Sequence, residues 1–466
     1  MKALATVLWL TALSVTCALA APAPVDLDTK LRLFAKEKEA QARSLVKEHP
    51  KPISPQVWEF FRAAEAGQWQ TVTNLYHQIE NLSGQREWSK PDGSVAGPVW
   101  STVLEVGLAV ELYLNFTPRF AAVLAHDLNS GLPQGSIIFG GTDPGRCFPT
   151  AFCTSHVRGD PFFTLTQNAL ADASYLTYLR ATYGHKIKTP SSMDASRCFT
   201  EYVVDATRRL EHDETSPAAP RQIKPGEFIT RDPATRGVKV SGQVSVMLIN
   251  ALLVKTIFDA NPEREFFIEE SFPLDWMYPH LTPHGAILKI NRAPIGKLTE
   301  ETLATDRAFW SERIRQFLGA DFAAPATVKD VCEFVDRVYV RRDLSAFKGD
   351  RLFLNNPYTQ KSYSKLRSAI AGTYFWRINE AGRRLSPADQ QRMIAEADRA
   401  FLQALALDPV SPEVVFRYAN LLLSLSRHDD AISIAETALK LEPKNSSFKS
   451  LLDQLDTLRA KAVPKK

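Results

Sequence analysis

Two segments near the C-terminal end carry the same spacing of small residues. Ala397, Phe401, Ala404 and Pro409 are followed by Ala431, Ala435, Ala438 and Pro443, with Ala in place of Phe. The two prolines stand 34 residues apart. Alanines at helical spacing let two helices approach closely, and proline stops the second helix of a pair. Ala419 stands where the first helix of the pair also needs a small side chain. A chain with this period must stack helical hairpins, and two hairpins cannot bury their own apolar faces alone.

The period is that of the tetratricopeptide repeat. A third hairpin is expected upstream, its first helix near Lys365 to Arg377 and a longer turn at Arg383 to Ser386. Such an array has to pack on the domain before it. Its hairpins predict a protein or peptide partner.

The rest of the 466-residue chain does not look repetitive. It holds 56 basic and 52 acidic side chains, a net charge of +4, and 45% apolar residues. These values are those of a multi-domain globule and exclude collagen, a coiled-coil rod and a wholly disordered chain. The near-balanced charge, with no basic stripe interleaved by aromatics, excludes nucleic acid as the partner class.

The first residues read MKALATVLWLTALSVTCALAA. Lys2, the apolar run Ala3 to Val15 and the Ala18-Leu19-Ala20 site predict a signal peptide over 1–20 and an exported, periplasmic or secreted product. The run is short for a membrane span, so no span is expected in the mature chain. Cys147, Cys153, Cys198 and Cys332 then remain, and either two disulfides or buried free thiols fit their number. Their spacing is not that of a zinc site.

Residues 21–132 read as helices. Ser54-Pro55 is an N-cap with proline at the first helical position, and the stretch from Trp58 interrupted by Gly67 reads as a hairpin with Trp58, Phe61, Trp69 and Tyr76 in its core. Helices follow over Val99 to Leu114 and Pro118 to Leu128. From 133 to 320 short apolar runs alternate with helical periods: strands at Ser136 to Phe139, Phe162 to Thr166, Glu265 to Glu269 and Ala286 to Ile290, and helices capped by Asp172, Ser241 and Thr299. Ser216 to Arg236 reads as a loop. Strands alternating with helices predict an α/β core around a mainly parallel, Rossmann-like sheet. A helical connector over 321–360 leads to the repeat array at 361–466.

Two clusters carry candidate chemistry. Gly140, Gly141, Thr142, Asp143 and Arg146 lie between a strand and a helix, where free N–H groups and a guanidinium suit an anion. Asn168 and Asp172 follow the next strand and belong to the same candidate ligand site, for a small anion or glycan. The same residues also suit a structural loop, with Asp143 paired to Arg146. The second cluster is Glu269, Glu270, Asp275, His280 and His284, carboxylates and imidazoles that suit acid/base work. Pro279 and Pro283 rule out the single-helix geometry of a zinc protease, and neither a metal nor a cofactor is expected. Trp276 and Tyr278 could stack on a sugar. A Cys147 or Cys153 dyad with His156 is the less favoured arrangement for an exported thiol.

The segments GGTDPGR, FFTLTQNALAD and EFFIEESFPLDWMYPHLTPHG resemble a family of exported tetratricopeptide-containing proteins of Verrucomicrobia-like bacteria. This resemblance covers Val57 to Arg377 and brings no catalytic residues with it. More distantly, the α/β part resembles the soluble domain of protein O-mannosyltransferase-like membrane proteins, with Thr142-Asp143-Pro144 and Phe148-Pro149 in the places of their strand-end loop. The chain lacks the multispan part that would carry transfer, so glycosyl transfer is not implied. The leading expectation is an exported binding protein. The alternatives are an enzyme acting on a carbohydrate or phosphate ester at the sheet's carboxyl ends, and a structural assembly unit.

Overall fold

The computed structural model describes residues 26–50, 52–83, 95, 97–141, 143–153, 162–184, 186–232, 237–269, 273–319, 326–379 and 385–462. The leader, Thr142, His156 and Glu270 lie outside these residues, as does the side chain of Asp143. The chain is mostly helical, with a small mixed sheet and a C-terminal helical repeat region.

Helix α1, Leu27–Glu48, opens on Asp26, whose carboxylate accepts from the backbone N–H groups of Asp28 and Thr29. Helices α2, Pro55–Glu65, and α3, Trp69–Ser83, form the expected hairpin, turning at Gly67 with φ 72°. Phe60, Phe61 and Tyr76 are buried in it, and Tyr76 stacks on Trp100 at 6.2 Å. Helix α4, Pro98–Asn129, is broken at Thr117, the residue before Pro118, so it consists of two helices as the sequence pattern predicts. Asn356 repairs the break: its Nδ2 donates to the carbonyls of Asn115 and Phe116 at 3.0 and 3.2 Å.

The sheet contains β1, Ile137–Gly140; β2, Phe163–Thr166; β5, Phe266–Glu269; β6, Leu281–His284; and β7, Ile287–Ile290. Its order is β2-β1-β5-β7-β6. Strand β1 is parallel to β2 and β5, whereas β7 is antiparallel to both β5 and β6. The expectation of a mainly parallel sheet is therefore corrected to a mixed one. The cause is local. Only Gly285 and Ala286 separate β6 from β7, and Gly285 has φ 58°. So tight a connection can join antiparallel strands but no parallel pair. Pro283 lies in β6, the edge strand, where a missing N–H leaves no ladder bond unmade.

Around the sheet lie α5, Asp143–Phe152; α6, Ala173–Tyr183; α7, Ser192–Thr215; α8, Gln243–Ala260; and α9, Glu300–Leu318. Asp172 caps α6, accepting from Ser174 N at 2.7 Å, and Thr299 caps α9. Helix α8 begins after Gly242, one residue beyond the expected Ser241 cap. The stretch read as a loop from Ser216 contains β3, Phe228–Arg231, paired antiparallel with β4, Val238–Ser241. The two strands fold against α7 in a small core of Tyr202, Ala206, Leu210 and Ile229.

Helix α10, Val328–Val335, leads to α11, Pro357–Asn379, and then to α12, Pro387–Leu407; α13, Pro412–Ser424; α14, His428–Leu441; and α15, Ser446–Ala462. Ala397, Phe401, Ala404, Ala419, Ala431, Ala435 and Ala438 are all fully buried, which is what their spacing requires. Helices α11 and α12 form the third hairpin. Buried polar links fasten it to the core. Arg367 of α11 pairs with Asp306 of α9 at 2.8 Å and donates to Gln403 of α12, all three among neighbours that exclude water. Arg377 donates to the carbonyls of Ile295 and Leu281. Among the described residues two helices, α4 and α8, are long and apolar enough to cross a membrane; the apolar window of α4 is mostly buried within the fold and that of α8 is one-third buried.

Candidate functional site

The carboxyl ends of β1, β2 and β5 meet, because Gly140 stands opposite both Thr166 and Glu269. The first turn of α5 lies on this edge. A Cβ at Gly140 would come within 2.6 Å of Arg146 N and the Gly145 carbonyl carbon, so the close approach of α5 to the strand end requires glycine there. Gly145 in turn faces the Glu269 carboxylate. Gly141 N–H donates to the Glu269 carbonyl at 3.4 Å, and Asn168 N–H donates to the Gly141 carbonyl at 3.3 Å. The geometry thus gathers Gly140, Gly141, Arg146, Asn168 and Glu269 around one edge.

The Arg146 side chain turns away from this edge. Arg146 is 1% exposed and pairs inward with Glu105 of α4. Lys38 of α1 lies 2.5 Å from the same carboxylate and donates to Tyr178 Oη at 2.8 Å. The Arg146 guanidinium also lies 4.8 Å from the Tyr175 ring centre. Burial alone would raise the Glu105 carboxyl, but Lys38 and Arg146 outweigh it and hold it below its ordinary value. Burial lowers the Lys38 ammonium, against the pull of Glu105. The guanidinium is thus committed inward, to a buried carboxylate that it shares with Lys38.

Asn168 is held by α8: its carbonyl accepts from Asn250 Nδ2 at 2.8 Å, while Asn250 Oδ1 accepts from Ala171 N at 2.7 Å. Gln167 beside it is 1% exposed, and its amide has no hydrogen-bond partner among the described residues. Asp172 is exposed and acts as the cap of α6. Sequence spacing had given no sign of Lys38, Glu105 or Gln167, since their partners come from distant segments.

The second cluster divides. Glu269 pairs with Lys365 of α11 at 3.3 Å. Asp275 is exposed and pairs with Lys224 at 3.3 Å. His280 precedes Leu281, whose register places it level with Phe266, at the amino end of β5. Its Nδ1 lies 2.7 Å from the Asn291 carbonyl, and its ring packs on Phe258 and Trp276. His284 packs on Phe267 at 4.9 Å, and burial lowers its imidazole below the ordinary value. Glu269 and His280 therefore stand at opposite ends of one strand and cannot share a proton across a substrate. Cys147, Cys153, Cys198 and Cys332 are all free thiols. Burial pushes the Cys153 thiol up to about 12, away from a reactive thiolate. Among the described residues no group of three His, Cys, Asp or Glu side chains converges as a metal site would require.

The repeat region presents a different surface. Helices α12 and α14 both pack against α10, while α13 packs on α11 and α15. On α13, Glu413, Arg417, Asn420 and Ser424 recur at helical spacing on the face away from the buried Val414, Tyr418 and Leu421. Arg417 pairs with Glu413 at 3.0 Å and crosses Gly372 of α11, where any side chain would collide with its guanidinium. Asn420 and Ser424 are exposed.

Residues 390–455 match the tetratricopeptide repeat family. No curated protein and no solved structure matches the chain.

Proposed function

We propose that this chain is an exported cell-envelope protein that acts by binding a protein or peptide partner through its tetratricopeptide hairpins rather than through a known catalytic activity. The match to the repeat family over 390–455 carries the reading, since such repeats generally mediate protein–protein interaction. The face of α13 bearing Asn420 and Ser424 is the surface proposed for contact, because α10 covers the helices on the other side. The leader with Lys2, its apolar run and Ala18-Leu19-Ala20 supports export, as does the resemblance to exported repeat proteins. The inward pairing of Arg146 weighs against a phosphate or glycan at the strand ends.

The test is affinity capture of the tagged full chain from a crosslinked envelope fraction of the native host. Wild type is compared with the Asn420→Arg, Ser424→Glu double variant. Loss of one defined partner, with an unchanged thermal melt, supports the reading. An identical set of captured proteins from both chains would overturn it.

A further inference from the structure

Helix α8 carries two apolar faces: one is buried in the main core, and the other, packed in part on α7 and the β3–β4 hairpin, is only half-covered by the described residues. Leu253, Val254, Ile257 and Phe258 are buried in the main core. Val244, Met247, Leu248, Ala251 and Leu252, at spacings of three and four residues, form a second stripe that stays half-buried. An apolar face at helical spacing is expected to be covered. Here it forms one wall of a cavity of about 600 Å³, closed on the other sides by α7 and the segment Pro273 to Tyr278. That volume lies within the range of small-molecule sites.

The walls are apolar and aromatic, with Leu274, Trp276 and Tyr278 facing the stripe. The cavity's charged residues are three carboxylates, Glu201, Asp205 and Asp275, against one ammonium, Lys224. Lys224 pairs with Asp275 at 3.3 Å, and Asp205 pairs with Arg208 and Arg209. Glu201 is exposed and has no ion pair among the described residues. It also lines the adjoining cavity along α7 and α8 beside two cations, Arg197 and Lys255, which pair with Asp194 and Asp259. Lys255 Nζ lies 5.7 Å from the Trp276 ring centre and pairs with Asp259 at 2.5 Å, so it leaves Glu201 unmatched. Aromatic faces and a free carboxylate at the end of an apolar slot are the chemistry that recognises an organic ammonium group.

We propose that this cavity binds an amphiphile with an apolar chain and a cationic head, the chain lying along the Val244 to Leu252 stripe and the head at Glu201. The cavity is lined by α7, α8 and the Pro273 to Tyr278 segment, and neither Asn420 nor Ser424 of α13 lines it. The stripe does not make α8 a membrane span. The opposite face of α8 is fixed into the core, and Asn250 in its middle is committed to Ala171 and Asn168.

The test is calorimetric titration of the full chain with dodecyltrimethylammonium below its micelle concentration, beside dodecyl sulfate and tetramethylammonium. The cationic amphiphile should bind at least tenfold more tightly than either control. Ala251→Trp, which fills the slot, should lower its affinity at least tenfold. Glu201→Lys lies on the surface and should leave the melt unchanged while reversing the preference towards dodecyl sulfate. Equal binding of both amphiphiles, no binding at all, or an unchanged preference in Glu201→Lys would overturn the proposal. Should Ala251→Trp fail to fold, Glu201→Lys decides alone.

Discussion

Arg146 illustrates how one side chain can suit a ligand in sequence and a core in structure. It follows paired glycines at a strand end, yet it points away from that end towards Glu105 and Lys38. The three charges hold α1, α4 and α5 together without water. Replacing Glu105 by Gln would leave two cations buried beside a neutral amide. Losing one partner of a buried ion pair costs about 3–5 kcal/mol, so Glu105→Gln should lower the urea midpoint sharply with an unchanged slope. A loss below about 1 kcal/mol would mean that solvent or another anion reaches Arg146, and the ligand reading would regain ground. The glycines were legible, because close approach at a strand end has a local signature. The destination of the guanidinium was not, because Glu105 and Lys38 come from helices far away in sequence, and no spacing rule links them.

At the scale of elements, caps and breaks were the most readable features. Asp172, Thr299 and the Ser54-Pro55 pair start helices where the sequence places them. Thr117-Pro118 divides α4 for a reason that yields a prediction. Proline disfavours helical geometry in the residue before it, and Thr117 takes φ 64° and ψ 151°, a region that glycine tolerates and a β-branched residue does not. Its side chain is exposed. Thr117→Gly should therefore stabilise the protein by about 1 kcal/mol, the relieved strain exceeding the added unfolded-state entropy. A fall in melting temperature would show that the Thr117 hydroxyl or methyl has a role that its exposure does not suggest. The sheet was less legible. Four of its five strands are legible and β6 is not, and the antiparallel run of β7 escapes because alternation with helices outweighs the two-residue Gly285-Ala286 connection. The β3–β4 hairpin was missed for a related reason: alternating Val238, Lys239, Val240 and Ser241 stands in a stretch dominated by proline and charge.

The whole molecule shows why a repeat this short can persist. Helix α11 does two jobs, serving as the first helix of a hairpin with α12 and as a packing partner of the sheet strands β6 and β7. Arg367 and Tyr374 of α11 both bond Asp306 of α9, and Tyr363 bonds Asp127 of α4 at 2.7 Å. Burial raises both tyrosine hydroxyls well above their ordinary value, so they act here as neutral donors. A fragment of residues 357–462 would carry Arg367, Tyr363 and Tyr374 with every one of these acceptors missing. The repeat helices would then expose the face of α11 that the sheet covers, and a small array has little spare stability to offset this. The full chain should accordingly unfold with the repeats and the sheet-containing core in a common calorimetric transition. The fragment should show helical circular dichroism without a cooperative melt. A fragment that melts cooperatively at the temperature of the full chain would show the repeats to be an independent domain, with the buried Arg367–Asp306 pair serving only to orient it.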